Sequence, residues 1–219
     1  MEEFNMFKIL NKDDKELIHS AFIRYLMLRN NCFYNFINAP LLKYDIPILE
    51  KAYTTKVNRK NKKYRIDIEV SSFDKSTIII IENKFKSFPN NKQLECYDRI
   101  YNEKYNGIRI IKYLFCFDKN IFKNTTEWIV FDYNDLIDYI KIILSKVNSK
   151  DERIFIQHYL NFLNEYIEKY SILKADFSKL LINQSNNENK FWLKIFYSAL
   201  EIRLHEYFKK EGITINFFF

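Results

Sequence analysis

The sequence has little glycine, proline or cysteine: among 219 residues there are two glycines, three prolines and three cysteines. The low glycine and proline contents exclude collagen-like and low-complexity disordered proteins. Cys32, Cys96 and Cys116 are far apart and form no Cys-x-x-Cys pair. This spacing argues against a disulfide framework, a zinc ribbon and a four-cysteine iron–sulfur cluster, and it favours a reducing compartment.

Long apolar segments are also missing. The chain has no apolar run of the roughly 18 residues that a membrane-spanning helix needs. The N-terminal stretch MEEFNMFKIL is acidic and its apolar part is too short for a signal peptide. We therefore expect a cytoplasmic protein with no membrane segment.

The charge balance is basic but not decisive. The formal net charge is +7, from 35 Lys and Arg residues against 28 Asp and Glu residues. A basic chain attracts phosphate groups, which permits a nucleic-acid partner. An AT-rich genome explains the abundance of lysine equally well, so the charge alone does not identify a ligand. Hydrophobic residues make up 47% of the chain, enough for a substantial core at this length.

The first part of the chain has a helical pattern. Apolar residues recur at helical spacing from Lys15 to Leu28, after two candidate N-cap residues, Asp13 and Asp14. This pattern predicts a first helix. We expect a short helix and a loop to follow it, up to Glu50.

Three runs of β-type composition come next. They are AYTTKV, YRIDIEV and TIIIIENK, separated by the turns NRKNKK and SFDKS. Such short connections predict an antiparallel meander. YRIDIEV alternates polar and apolar residues, which indicates two different faces. The unbroken run Ile78 to Ile81 indicates a third strand that is central and covered on both faces.

The remaining pattern completes an α/β sandwich. A helix opened by Pro89 and Asn90 ends near Gly107, and the strands IRIIKYLFCF and WIVFDY follow. After Asp132 the chain is mainly helical, with NQSNNENK (183–190) as a linker candidate and a strand-like end, GITINFFF. We predict a core of residues 1–131 and a mainly helical C-terminal extension of residues 132–219 packed on it.

Two carboxylates and a lysine converge in this scheme. Glu82 and Lys84 share one face of the third strand and Asn83 points to the other. A turn centred near residues 73–75 sets Asp67 opposite the Glu82 region. Paired carboxylates suit a hard divalent cation such as Mg²⁺, and an adjacent lysine can orient water or stabilise charge on a phosphate. Alternatively, both carboxylates are polar groups at the rim of the strands and Lys84 only neutralises Glu82.

The order of these elements resembles that of the PD-(D/E)XK nuclease superfamily. RIDIEV lies on the second strand, IENK ends the third, and QLECY lies in the next helix. This is similar to a bacterial branch with a relaxed IENK-type motif and a following QLxxY. The resemblance covers about residues 13–117, and Ile66 stands where the family name has proline. It implies a restriction-endonuclease-like αβββαβ core with a mixed central sheet.

The resemblance also implies an activity and a partner. The expected protein is a Mg²⁺-dependent nuclease, with Mn²⁺ as a substitute, that acts on DNA rather than RNA in a bacterial cytoplasm, in defence against foreign DNA or in repair. Asp67 and Glu82 would ligate the metal, with the main-chain carbonyl of Asn83 as a third oxygen. Lys84 would position or activate the attacking water.

Two helical residues join this site by resemblance. Glu16 in the first helix would reach the metal directly or through water, and Gln93 in the helix after the motif would contact the lysine, the water or a phosphate. Glu16 has a second interpretation, because Asp13-x-x-Glu16 is also a capping box. Gln93 has one too, as a solvent-facing helix residue.

The turn between the first two strands is rich in basic residues. Side chains there can grip a phosphate backbone beside the site, or form a solvated hairpin tip. The candidates for nucleic-acid binding are Arg59, Lys60, Lys62, Lys63 and Arg65.

Two alternatives to the enzyme stay open at this point. The first is a binding module of the same fold, with a weak or inactive site, that holds nucleic acid or a protein. The second is a structural or partner-dependent subunit whose helical C-terminal third forms a homo-oligomer.

Overall fold

The computed structural model describes residues 5–9, 16–29, 32–57, 60–88, 91–122, 127–175 and 186–212. The strands in these ranges are β1 (Ile48–Val57), β2 (Lys60–Ser71), β3 (Thr77–Asn83), β4 (Arg109–Cys116) and β5 (Trp128–Asp132). The helices are α1 (Met6–Ile9), α2 (Glu16–Arg29), α3 (Cys32–Phe36), α4 (Asn91–Lys104), α5 (Tyr133–Leu144), α6 (Lys150–Ala175) and α7 (Asn186–Lys210), with a 3₁₀ turn at Lys119–Phe122.

The strands form one mixed sheet in the order β1-β2-β3-β4-β5. β1, β2 and β3 pair antiparallel, as expected for a meander with short turns. β3, β4 and β5 pair parallel, because α4 and then the 3₁₀ turn return the chain to the same end of the sheet. The αβββαβ order and the mixed sheet confirm the predicted fold class.

β3 is the centre of the sheet and of the core. All seven of its residues are buried, including the four isoleucines from Ile78 to Ile81. Burying one such side chain contributes about 1.5–3 kcal/mol, so the isoleucines of this strand stabilise the centre of the sheet. The prediction of a central strand covered on both faces is confirmed.

Helix α4 covers one face of the sheet. Tyr97 Oη donates a hydrogen bond of 2.6 Å to the backbone carbonyl of Arg65, and Tyr101 Oη donates one of 2.5 Å to the buried carboxylate of Glu69. Both contacts join α4 to β2. The chain turns after α4 at Gly107, whose φ of +77° lies in the left-handed region that favours glycine.

The other face lies against α2 and α5, with α6 behind them. The ring of Phe85, just after β3, stacks on His19 of α2 at 3.6 Å between centroids and contacts Phe162 of α6. His19 is fully buried and shares a 3.0 Å hydrogen bond with Tyr159 Oη. No helix in the described parts of the chain has both the length and the apolarity needed to cross a bilayer.

Helix α7 contacts the segment that follows β3. The Ser198 hydroxyl accepts a hydrogen bond from the backbone N–H of Phe88 at 2.8 Å and donates one to its carbonyl oxygen at 3.2 Å. The loop after the central strand is thus tied to a helix far along the sequence.

The division of the chain at residue 131 stays a prediction.

Several predicted boundaries are wrong. β2 begins at Lys60, so residues 60–63 of the predicted turn NRKNKK lie in a strand. β1 begins at Ile48 rather than Ala52, because Ile48 pairs with Glu69 of β2. Residues 186–190 of the linker candidate are helical, since α7 begins at Asn186. The predictions for Asp13, Asp14, Pro89, Asn90, residues 183–185 and residues 213–219 lie outside the described residues.

Candidate active site

The pairing of β2 with β3 brings two carboxylates together. Ile68 lies opposite Ile81, so Asp67, one residue earlier on β2, is next to Glu82, one residue later on β3. The backbone N–H of Asn83 donates a hydrogen bond of 2.7 Å to Asp67 Oδ2. Asp67 is half-buried and Glu82 is only 1% exposed. The register predicted from the SFDKS turn therefore produces an acidic pair at the end of the central strand.

The two oxygens of Glu82 have different surroundings. Oε1 accepts a hydrogen bond from Gln93 Nε2 at 2.9 Å and lies 2.7 Å from Lys84 Nζ. Oε2 is buried, and no group in the described residues donates a hydrogen bond to it. An unsatisfied buried carboxylate oxygen is costly, and a bound ion is one way in which proteins satisfy it. Oxygens are also the ligands that Mg²⁺ prefers, so this pair of carboxylates fits a divalent cation.

The pKa values of both carboxyl groups are raised, which is expected of two carboxyl groups that are buried next to each other. Burial, followed by the charge of Glu82, raises the pKa of Asp67 well above its usual value. Burial also raises the pKa of Glu82, against the opposing effect of Lys84. A cation between the two groups would favour their charged forms and so reverse both shifts.

Lys84 is a nearly buried cation, with 13% of its side chain exposed. Burial by itself would lower its pKa, but the charges of Glu82 and Glu16 outweigh that effect and raise it. Lys84 is therefore held as an ammonium ion. In this state it can donate hydrogen bonds to water or phosphate oxygens but cannot accept a proton.

Glu16 reaches the same region from the first residue of α2. Its Oε1 accepts a hydrogen bond of 3.2 Å from the backbone N–H of Lys86, in the loop after β3. Among the described residues no group of three or more His, Cys, Asp and Glu side chains is placed to hold a metal ion, so Glu16 stands outside the pair of Asp67 and Glu82. A contact through water stays a prediction, as does the capping box with Asp13.

Gln93 approaches from α4. Besides Glu82, its Nε2 donates to Tyr97 Oη at 3.0 Å. Since Tyr97 in turn binds the carbonyl of Arg65, two residues before Asp67, the chain of hydrogen bonds connects both strands of the site. The structure thus places the Gln-x-x-x-Tyr pair of QLECY against the carboxylates and not in solvent.

The basic hairpin lies on the part of β2 that precedes its pairing with β3. Lys62, Lys63 and Arg65 are exposed, and Arg65 Nη1 lies 3.4 Å from Glu50 Oε2. The backbone of Lys60 belongs to β2, whereas Arg59 lies outside the described residues. Three of the five predicted phosphate contacts are therefore solvent-accessible cations on the strand that carries Asp67.

Sequence reasoning missed two residues that contact the site. Ser20 of α2 and Tyr133 of α5 both bind the side chain of Asn83, which is fully buried. Ser20 lies one helical turn after Glu16, a spacing that places the two on one face of α2. No comparable sequence signal connects Tyr133 with the motif.

The sequence is similar to a known protein family. A model described as the PD-(D/E)XK nuclease superfamily matches residues 4–161. This range includes Glu16, Asp67, Glu82, Lys84 and Gln93, and it continues through α5 into α6. No curated protein and no solved structure matches the chain.

Proposed function

The chain belongs to the PD-(D/E)XK nuclease superfamily, and from this premise we propose that it is a Mg²⁺-dependent nuclease that hydrolyses phosphodiester bonds of DNA. The observation that carries the proposal is the unsatisfied, buried Oε2 of Glu82 beside Asp67. A carboxylate pair that served only as a polar strand rim would be expected to have its oxygens in water or hydrogen-bonded.

Asp67, Glu82 and the main-chain carbonyl of Asn83 would hold the ion. When bound, Mg²⁺ supplies positive charge that draws the scissile phosphate into the site and lowers the pKa of a coordinated water. Each ligand is positioned by a neighbour: Asp67 by the Asn83 N–H and Glu82 by Gln93. Such preorganisation lowers the cost of assembling the site at the moment of reaction.

Lys84 stabilises the negative charge that develops on the phosphate. Water adds to phosphorus as the bond to the leaving oxygen breaks, leaving a phosphate monoester and a hydroxyl group. The ammonium of Lys84, the residue after β3, lies 2.7 Å from Glu82 Oε1, so it can donate to the water or to a non-bridging oxygen. This geometry supports a positioning and electrostatic role for Lys84.

The exposed cations of the hairpin support a nucleic-acid substrate. Lys62, Lys63 and Arg65 are on the strand of Asp67 and face solvent. Together with the net charge of +7 they supply the attraction that phosphate backbones require. We propose double- or single-stranded DNA as the substrate, and defence against foreign DNA or repair in a bacterial cytoplasm as the setting.

The test is cleavage of plasmid and single-stranded DNA with Mg²⁺ or Mn²⁺ by the wild type and by Asp67→Asn and Lys84→Ala. Asp138→Asn is a matched control, because Asp138 lies on the exposed face of α5 and pairs only with Lys141 among the contacts observed. We expect metal-dependent cleavage by the wild type and the control, and none by the other two variants. Cleavage that persists in both variants would overturn the site. An inactive wild type would favour the non-catalytic binding module.

A further inference from the structure

Asn83, the third residue of the IENK motif, is held by hydrogen bonds of its backbone N–H and of both polar atoms of its side chain. Its backbone N–H binds Asp67 Oδ2 at 2.7 Å. On the opposite face of the strand its Nδ2 donates to Ser20 Oγ at 3.3 Å, and its Oδ1 accepts from Tyr133 Oη at 2.6 Å. The side chain has no exposed surface. The amide is therefore a bridge between β3 and two helices.

The two partners of this amide are themselves fixed. Ser20 is fully buried, and its hydroxyl also donates to the carbonyl of Glu16 at 3.0 Å. Tyr133 is fully buried as the first residue of α5. The start of α5 is set by a capping box in which Asp132 and Asp135 each bind the other's backbone. Neither partner can therefore shift without disturbing a helix end.

This arrangement has a mechanical consequence for the site. Consecutive residues of a strand point to opposite faces, so anchoring Asn83 on one face fixes the directions of Glu82 and Lys84 on the other. The same anchor fixes the peptide N–H that orients Asp67. A buried amide is tolerated only when its hydrogen bonds are satisfied. An apolar residue at this interior position would need no such partners.

We propose that Ser20 and Tyr133 are positioning residues of the active site. By holding the Asn83 side-chain amide between α2 and α5, they set the backbone of residue 83, whose N–H orients Asp67 and whose carbonyl would face the cation. The inference rests on the proposed function, because it assumes a divalent cation at Asp67 and Glu82. It also gives α5, which lies beyond residue 131, a part in that site.

The test compares Tyr133→Phe with Tyr139→Phe. Both tyrosines are buried on α5, but within the described residues Tyr139 Oη has no hydrogen-bond partner. The readout is Mn²⁺ binding to the metal-free protein by calorimetry, with the thermal midpoint measured in parallel. We expect Tyr133→Phe to weaken Mn²⁺ binding by about fivefold, the effect of removing one hydrogen bond, and Tyr139→Phe to leave it unchanged.

A second pair of variants keeps the test sharp if Tyr133→Phe folds poorly. Ser20 and Ser171 each donate to the carbonyl four residues earlier in a helix, but only Ser20 accepts from Asn83. Ser20→Ala should weaken Mn²⁺ binding, and Ser171→Ala should not. In an Asn83→Ala background neither Tyr133→Phe nor Ser20→Ala should weaken it further, because the shared partner is gone.

The outcomes separate the two proposals. A wild type that binds no Mn²⁺ overturns the proposed function, and the inference with it. A wild type that binds Mn²⁺, with Tyr133→Phe and Ser20→Ala binding it as tightly as their controls, overturns the inference alone. Additive losses in the Asn83→Ala background would also overturn it, because the two residues would then act independently of Asn83.

Discussion

Lys84 Nζ lies 2.7 Å from Glu82 Oε1, and the side chains are 13% and 2% exposed. This ion pair neutralises one carboxylate of the site. Asp67 and Glu16 also contribute negative charge, so three carboxylates share one ammonium ion in a largely buried region. The positive charge of Lys84 does not balance the carboxylates around it, and a bound divalent cation would supply the missing positive charge.

The first prediction concerns stability without metal. Asp67→Asn should raise the free energy of unfolding at pH 7 by about 1 kcal/mol and the thermal midpoint by roughly 2–4 °C, while cleavage is lost. The amide removes a charge that burial and Glu82 disfavour, and its oxygen can still accept from the Asn83 N–H. Thermal unfolding in a chelating buffer measures this, and a lower midpoint than that of the wild type would contradict it.

The pH dependence of the Asp67→Asn effect provides an internal check. Because folding raises the pKa of Asp67 above its unfolded value of 3.8, the wild type is relatively stable below that pH and loses stability as the pH rises through the folded value. The stabilisation by Asp67→Asn should therefore be largest near neutrality and vanish towards pH 3. An advantage that stays constant with pH would mean that charge is not its cause.

The second prediction concerns Asp118, just after β4. Burial raises its pKa, but Lys174 of α6 and the Asn120 N–H outweigh burial and lower it below the usual 3.8. Its contribution to stability is thus present above that pH and lost as the pH falls through the lower folded value. Asp118→Asn should lower the thermal midpoint at pH 7, by an amount that shrinks in acid. The control Asp138→Asn should change it little at any pH.

The third prediction concerns the hairpin cations. Lys62→Ala combined with Lys63→Ala should weaken binding of DNA and reduce the slope of log K against log salt by about 1–2, one unit for each phosphate that the protein no longer neutralises. Fluorescence anisotropy with the Asp67→Asn protein avoids cleavage during the measurement. Mn²⁺ affinity should be unchanged, because neither lysine contacts the carboxylates in the structure. An unaltered salt slope would contradict this prediction and mean that neither lysine contacts a phosphate.

The fourth prediction concerns the contact of α7 with the loop after β3. Ser198→Ala removes two hydrogen bonds to the backbone of Phe88 and should lower the free energy of unfolding by about 1–2 kcal/mol. Hydrogen exchange should speed up in residues 84–88 before it does so in β3. Ser171→Ala, which removes a single exposed bond within α6, should cost less than about 0.5 kcal/mol. Equal effects of the two substitutions would contradict this view of the loop.

Local sequence patterns were sufficient for the existence of the five strands and for the position of the acidic pair, whereas the mixed sheet was expected only from the family resemblance. The run from Ile78 to Ile81 predicted a strand buried on both faces, and the short SFDKS turn determined which residues oppose each other across β2 and β3. Turn length fixes register in a hairpin, so Asp67 could be placed beside Glu82 from the sequence alone.

The hydrogen bonds of the Asn83 side chain to α2 and α5 could not be predicted in this way. Asn83 meets Ser20 and Tyr133, which are 63 and 50 residues away in the sequence. Such contacts depend on how whole helices pack on the sheet, and a single serine or tyrosine in a helix has many possible neighbours. The polar stretch before α7 was misread for a related reason: Asn and Ser favour turns locally, but the packing of Phe191 and Trp192 in the core overrides that preference.

The hydrogen bonds between Ser198 and Phe88 join residues that are 110 positions apart. At a synthesis rate of about 5–20 residues per second, the ribosome adds the serine roughly 5–20 seconds after the phenylalanine. During that interval the strands that carry Asp67 and Glu82 have been made, but the loop after β3 is without this anchor. We therefore expect a nascent chain to hold the loop after β3 less firmly until α7 has been translated.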